Sequence, residues 1–269
     1  MHVGQRELLA VAVRVAGEAA ELARTTREKA ILDVDTKSSE TDVVTEGDRA
    51  SERLVRQRLA ELRPGEPVLG EEEGGGSAVE PGGVCWVVDP IDGTVNYLYG
   101  YPWYAVSLAA RVDGASVAGA VVEPDSGRCW TAARGHGAAL DGVPLRVSRT
   151  SRLDLALVAT GFGYQAERRR RQAAGVAKLV GRIRDIRRAG SAALDLCAVA
   201  AGWIDGYFEN GLSTWDWAAG ALIAEEAGAQ VRLPGRAGDG FGPDLLLAAA
   251  PGVADELRTA MIESGLAEV

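Results

Sequence analysis

Apolar residues Leu8, Val11, Val15, Ala19 and Leu22 recur at helical spacing while Arg14, Glu18 and Glu21 fall elsewhere on the wheel, so residues 8–23 read as an amphipathic helix. An extended, polar segment covers 31–45. Thr45-Glu46-Gly47-Asp48 then reads as a capping box opening a second helix, with Leu54, Val55, Leu59 and Leu62 as its inner face and Pro64-Gly65 as its stop. A short strand at 67–70 runs into Glu71-Glu72-Glu73 and a Gly/Ser-rich loop reaching Gly83. Trp86-Val87-Val88 has no alternation, which suits a strand buried on both faces. Pro90 is expected to end that strand and to hold Asp89 extended. Asp92-Gly93 signals a turn, and Thr94 is expected to cap a short helix.

Three β-rich runs follow at 104–111, 115–122 and 129–133, separated by Asp113-Gly114 and Asp125-Ser126-Gly127 and closed by Asp141-Gly142 and Pro144. Turn signals at such short spacing predict an antiparallel meander. Near Ser148 the pattern changes. Strands at 155–160, 183–187, 205–209, 229–233 and 245–249 alternate with helices at 167–180, 191–201, 218–227 and from 253, with Ser191 as a cap. The chain therefore divides into helices plus a meander over 1–148 and an alternating α/β half over 149–269. Without a repeat or a long linker, the two halves are expected to share one domain.

A chain of 269 residues, 47% of them hydrophobic, can bury a substantial core. A net charge of -9 disfavours general affinity for nucleic acid or anionic membranes. Arg168 to Arg171 form a basic run on a helix, read as a solvated face. Cys85, Cys129 and Cys197 have no paired spacing and read as buried thiols of a reducing cytosol. The charges in the first helix exclude a signal peptide or membrane span there, so a soluble, cytoplasmic protein is expected.

Chemistry concentrates where the strand from Trp86 ends. Asp89 and Asp92 beside a helix N-terminus repel a bare anion, but a divalent cation held between them reverses the sign, so Mg²⁺ and a phosphate fit together. The bland alternative is a solvated Asp-Pro/Asp-Gly turn. Glu71 stands at another strand end, and a parallel neighbour would bring it to the same edge. Asp48 alone reads as a first-turn acid, Asp216 as an N-cap at a helix start, and His136 as a loop residue.

Taken together, Gly70-Glu71-Glu72, Asp89-Pro90-Ile91-Asp92-Gly93-Thr94 and Trp215-Asp216 resemble the three motifs of the inositol monophosphatase family. The likeness runs from Lys37-Ser38-Ser39 and Asp42-Val43-Val44-Thr45 to the last strand. It implies an α/β (α+β) fold, a layered α/β/α/β/α sandwich of the inositol monophosphatase and fructose-1,6-bisphosphatase type. It also implies that Glu71, Asp89 and the Ile91 carbonyl hold one Mg²⁺ and that Asp89, Asp92 and Asp216 hold a second. Two ions about 4 Å apart would clamp the phosphate and lower the pKa of a bound water. Thr94 with Glu71 would orient and deprotonate that water, with Asp48 supporting Thr94.

The same likeness assigns phosphate oxygens to Gly93 and Thr94, and the alcohol to Gly190, Ser191, Ala192, Glu209 and Asp216. Lys37 matches a mobile-loop position near the metals. The implied reaction is hydrolysis of myo-inositol 1-phosphate, favoured by Asn96 after Gly93-Thr94-Val95. Histidinol phosphate, fructose 1,6-bisphosphate or a 3'-phosphonucleotide is the alternative small phosphorylated substrate, and a non-catalytic binding scaffold is the alternative of another class. A homodimer and Li⁺ inhibition follow from the resemblance alone.

Overall fold

A computed structural model describes residues 4–32, 34–37, 43–76, 79–267 and 269. Ser38, Ser39 and Asp42, singled out above, lie outside the described residues. The first helix, α1 (Gln5–Ala30), is longer than its pattern suggested and buries a face rich in alanine, including Leu8, Ala12, Val15, Ala16 and Ala19. Strands β1 (Val34–Thr36) and β2 (Val43–Thr45) pair antiparallel and lead into α2 (Glu46–Leu62). The capping box is present: Thr45 Oγ1 accepts from the Gly47 and Asp48 amides, and Asp48 Oδ2 accepts from the Thr45 amide at 2.8 Å.

Strands β3 (Val68–Gly70), β4 (Val84–Asp92), β5 (Ala105–Val112), β6 (Ala115–Val122), β7 (Cys129–Ala133), β8 (Ala138–Leu140) and β9 (Val143–Pro144) form one sheet in sequence order. Only β3 and β4 run parallel, with Gly70 opposite Val88, so Glu71 and Asp89 follow side by side. The remainder is the expected meander. Contrary to expectation, β4 does not stop before Pro90. Its pairing with β5 shifts between Asp89 and Asp92 and then resumes at Ala105, and at such a bulge the missing N–H of proline breaks no ladder bond. Ser51 Oγ donates to the Pro90 carbonyl at 3.1 Å.

The second sheet, ordered β11-β10-β12-β14-β13, contains β10 (Leu157–Thr160), β11 (Asp185–Arg187), β12 (Gly206–Asn210), β13 (Gln230–Arg232) and β14 (Leu245–Ala249). Helices α1 and α2 pack on one face of the large sheet. Between the sheets lie α5 (Ala192–Ala200), with all its residues buried, and α6 (Thr214–Glu226), apolar over most of its circumference. Helix α7 (Ala254–Glu263) and the end of α4 (Ala166–Leu179) cover the outer face of the second sheet. The short α3 (Thr94–Tyr99) follows β4. This is the layered α/β/α/β/α sandwich anticipated above. Cys85 and Cys197 are buried as expected, whereas Cys129, the first residue of β7, is only half-buried.

Layers approach closely where side chains vanish. A Cβ on Gly119 in β6 would lie 3.0 Å from Ala219 Cα of α6. Gly119→Val is expected to lower unfolding free energy by about 1–3 kcal/mol through overpacking, seen as an earlier midpoint in chemical denaturation. An unchanged midpoint would contradict this contact.

Candidate active site

The parallel pair β3/β4, the bulge, and the first turns of α5 and α6 converge on a cleft of about 650 Å³. Oxygens of Asp89, Asp92 and Asp216 lie within 4.8 Å of one another. Asp89 is 1% exposed. Burial pushes its carboxyl well above the usual range, and the charges of Glu71, Asp92 and Asp216 push it further. Asp216 is raised for the same reasons, burial first. Asp92 is raised to about 7 by burial, even though Ser191 Oγ and the Ala193 and Ala192 amides stabilise its charge. Three such acids cannot all ionise uncompensated, and hard oxygen donors converging on one point fit a divalent cation.

Asp92 is fixed by the start of α5: Oδ2 accepts from Ser191 Oγ at 2.5 Å and the Ala193 amide at 2.7 Å, and Oδ1 from the Ala192 amide at 3.3 Å. Ser191, named above for the alcohol, is buried and gives its hydroxyl to Asp92. Asp216 is not the cap of α6. Ser213 takes that place, and Asp216, at the third helical position, accepts from the Ser213 amide at 2.5 Å. The helix starts at Thr214, earlier than its apolar run suggested, because the capping box precedes that run.

Thr94 is likewise not a cap. Gly93, at φ +95°, takes the N-cap of α3, and a Cβ there would meet the Trp103 and Gly190 carbonyls at 3.1 and 3.2 Å. Freed from capping, Thr94 Oγ1 lies 3.0 Å from Asp48 Oδ1 and 3.1 Å from the Ile91 carbonyl. Asp48 is therefore more than a first-turn acid: burial raises it to about 6, and it links the α2 cap to Thr94.

Glu71 and Lys37 line the same cleft, with Lys37 Nζ 2.8 Å from Glu71 Oε1 and 2.5 Å from Glu72 Oε1. Gly190, Ala192 and Glu209 line it too, and Glu209 accepts from Tyr207 Oη at 2.7 Å. Asn96 Nδ2 donates to the carbonyls of Trp103 and Ala189, at 2.7 and 2.9 Å, and ties the walls together. Arg168 and Arg169, read above as part of a solvated face, also line the cleft, as do Arg188 and Asn210, which were not singled out. The usable signal was their place beside the ends of the parallel strands β10, β11 and β12, where open sheets bind ligands.

The sandwich and its acid-lined cleft define a phosphatase class. The chain belongs to the inositol monophosphatase family, whose model matches residues 4–266, and it is thus a hydrolase of phosphoric monoesters. It is 54% identical over 241 residues to an inositol-1-monophosphatase of Mycobacterium leprae, covering 87% of this chain and 83% of the relative. It is 41% identical over 232 residues to a Nus factor SuhB of Pseudomonas aeruginosa, covering 83% of this chain and 84% of that one. Among solved structures, Mycobacterium tuberculosis SuhB superposes with a TM-score of 0.82 at 44% identity, covering 96% of this chain and 97% of the other.

Raised carboxyls mean that the folded site binds more protons than the unfolded chain, so its contribution to stability falls as pH rises, from about 3.8 to about 6 for Asp48 and about 7 for Asp92. In EDTA at about pH 7.5, Asp89→Asn is expected to melt above the wild type because it removes an acid that folding must either hold charged against its neighbours or protonate. MgCl₂ should raise the wild-type melting temperature and leave that of the variant nearly unmoved. The opposite order in EDTA would show that the acids do not repel one another.

Proposed function

We propose that the chain is a Mg²⁺-dependent phosphomonoesterase acting on myo-inositol 1-phosphate. The observation that carries this reading is the meeting of Asp89, Asp92 and Asp216 in the cleft that also holds the Thr94–Asp48 pair. Those three acids, with Glu71 and the Ile91 carbonyl, are the groups that would hold the cations. When bound, Mg²⁺ supplies Lewis acidity toward a phosphoryl oxygen and makes water a nucleophile near neutral pH.

The chain's own groups do the rest. Asp48, ionised above about pH 6, accepts the Thr94 hydroxyl proton in a hydrogen bond and leaves the Thr94 lone pairs to orient the attacking water. Glu71, steered by Lys37, accepts that water's proton. Gly93 and Thr94 offer backbone amides to phosphate oxygens, and Glu209 accepts from hydroxyls of the alcohol. Gly161 leaves room for that carboxylate, since a Cβ there would come within 1.8 Å of Glu209 Oε2.

The name of the Mycobacterium leprae relative supports the inositol ester. Li⁺ inhibition, a homodimer and a cytoplasmic setting belong to the same reading. A non-catalytic binding scaffold is the second reading, suggested by the Nus factor name of the Pseudomonas aeruginosa relative, and it requires neither metal nor Thr94.

Phosphate release from myo-inositol 1-phosphate should vanish in EDTA and in Asp92→Asn. Near-normal turnover by Asp92→Asn would overturn the metal assignment. Parallel rates on histidinol phosphate, fructose 1,6-bisphosphate and a 3'-phosphonucleotide rank the alternatives. Thr94→Val should lower kcat by about 10²-fold or more with KM little changed. Full activity in that variant would remove Thr94 from the chemistry.

A further inference from the structure

One face of α2 reaches three segments of the cleft wall at once. Asp48, Ser51 and Glu52 stand at positions i, i+3 and i+4 of that helix, so they share a face, and all three are 0% exposed. Asp48 holds Thr94, and Ser51 holds the Pro90 carbonyl in the bulge. Glu52 reaches the third segment, the turn that carries Glu71. Its Oε2 accepts from the Glu72 amide at 2.8 Å and its Oε1 from the Glu73 amide at 3.1 Å.

The reaction drawn above gives Glu52 no part, yet an acid buried this deeply is costly unless its oxygens are partnered. Oε1 also accepts from Arg56 Nε at 2.9 Å and Nη2 at 2.7 Å. Arg56 in turn donates to the carbonyls of Val68 and Gly74, at 3.1 and 2.6 Å, one on each side of the turn. Gly70 makes room for the pair, since a Cβ there would come within 2.2 Å of Glu52 Oε1. An apolar filling of the same volume is often as stable as a buried ion pair, so packing alone does not account for this one. What the pair adds is aim. It fixes from α2 the two peptide planes that follow Glu71, and with them the direction in which the Glu71 side chain leaves the backbone.

We propose that Glu52, braced by Arg56, is a positioning residue for Glu71. One helix face then sets both groups that direct the attacking water, Thr94 through Asp48 and Glu71 through Glu52, at a fixed separation. The effect on turnover rests on the phosphomonoesterase reading, but the grip on the turn does not.

Amide hydrogen exchange in EDTA reads that grip without turnover. In the wild type the Glu72 and Glu73 amides should be protected although they lie in a turn and Glu73 is exposed. In Glu52→Gln they should exchange at least about tenfold faster while amides of β5 stay unchanged. Calorimetry should show Mg²⁺ binding about tenfold more weakly to Glu52→Gln than to the wild type, and equally to Glu71→Gln with and without Glu52→Gln, because the two changes act through one group. The kcat of Glu52→Gln on myo-inositol 1-phosphate should fall about tenfold with KM little changed. Unprotected Glu72 and Glu73 amides in the wild type, or a loss of Mg²⁺ affinity that Glu52→Gln also inflicts on Glu71→Gln, overturns the proposal. Should Glu52→Gln fail to fold, Arg56→Lys, which keeps the charge but not the fork, takes its place in each comparison. If the wild type hydrolyses no ester, the phosphatase reading fails, and exchange and calorimetry still decide the role of Glu52.

Discussion

Repulsion among carboxylates is the constraint around which this molecule is built. Two unit charges about 5 Å apart repel by roughly 3 kcal/mol at an effective dielectric constant near 20, and Asp89, Asp92 and Asp216 are held closer than that. No single element could keep them there. Asp89 opens the bulge in β4, Asp92 closes it, and Asp216 sits in the first turn of a helix packed between two sheets. The apolar layers hold together what electrostatics pushes apart, as functional sites commonly require.

Much of this was legible locally. The Thr45–Asp48 capping box, the meander punctuated by Asp-Gly turns, and Glu71 and Asp89 side by side after the β3/β4 pair all follow from patterns a few residues long. What escaped depends on partners far along the chain. Ser191 meets Asp92 across 99 positions, a pairing that leaves no mark in spacing, and the Thr94–Asp48 bond across 46 positions was implied by the family resemblance alone. Thr94 looked like a cap because its type favours one, yet Gly93 occupies the left-handed entry to α3 and frees the hydroxyl for the cleft. Pro90 looked like a strand end because the bulge that tolerates it is set by β5, not by its own neighbours.

The run from Arg168 to Arg171 shows the same limit from another side. Periodicity places four arginines on a helix but does not say which of them faces a neighbouring strand. Arg168 and Arg169 follow the loop after β10 and turn into the cleft, while Arg170 pairs with Glu167 at the surface. A charge run is thus divided by its position relative to the sheet edge, which only the topology reveals.

The tether between Asp92 and the start of α5 has a wider consequence. Every residue of α5 is buried between the two sheets, so this carboxylate takes its bearing from the middle layer as much as from its own strand. Any slippage of one sheet past the other disperses the oxygens before a single ladder bond breaks. Cation affinity in this protein is therefore a gauge of how firmly its halves are docked, and core substitutions remote from the cleft register there first.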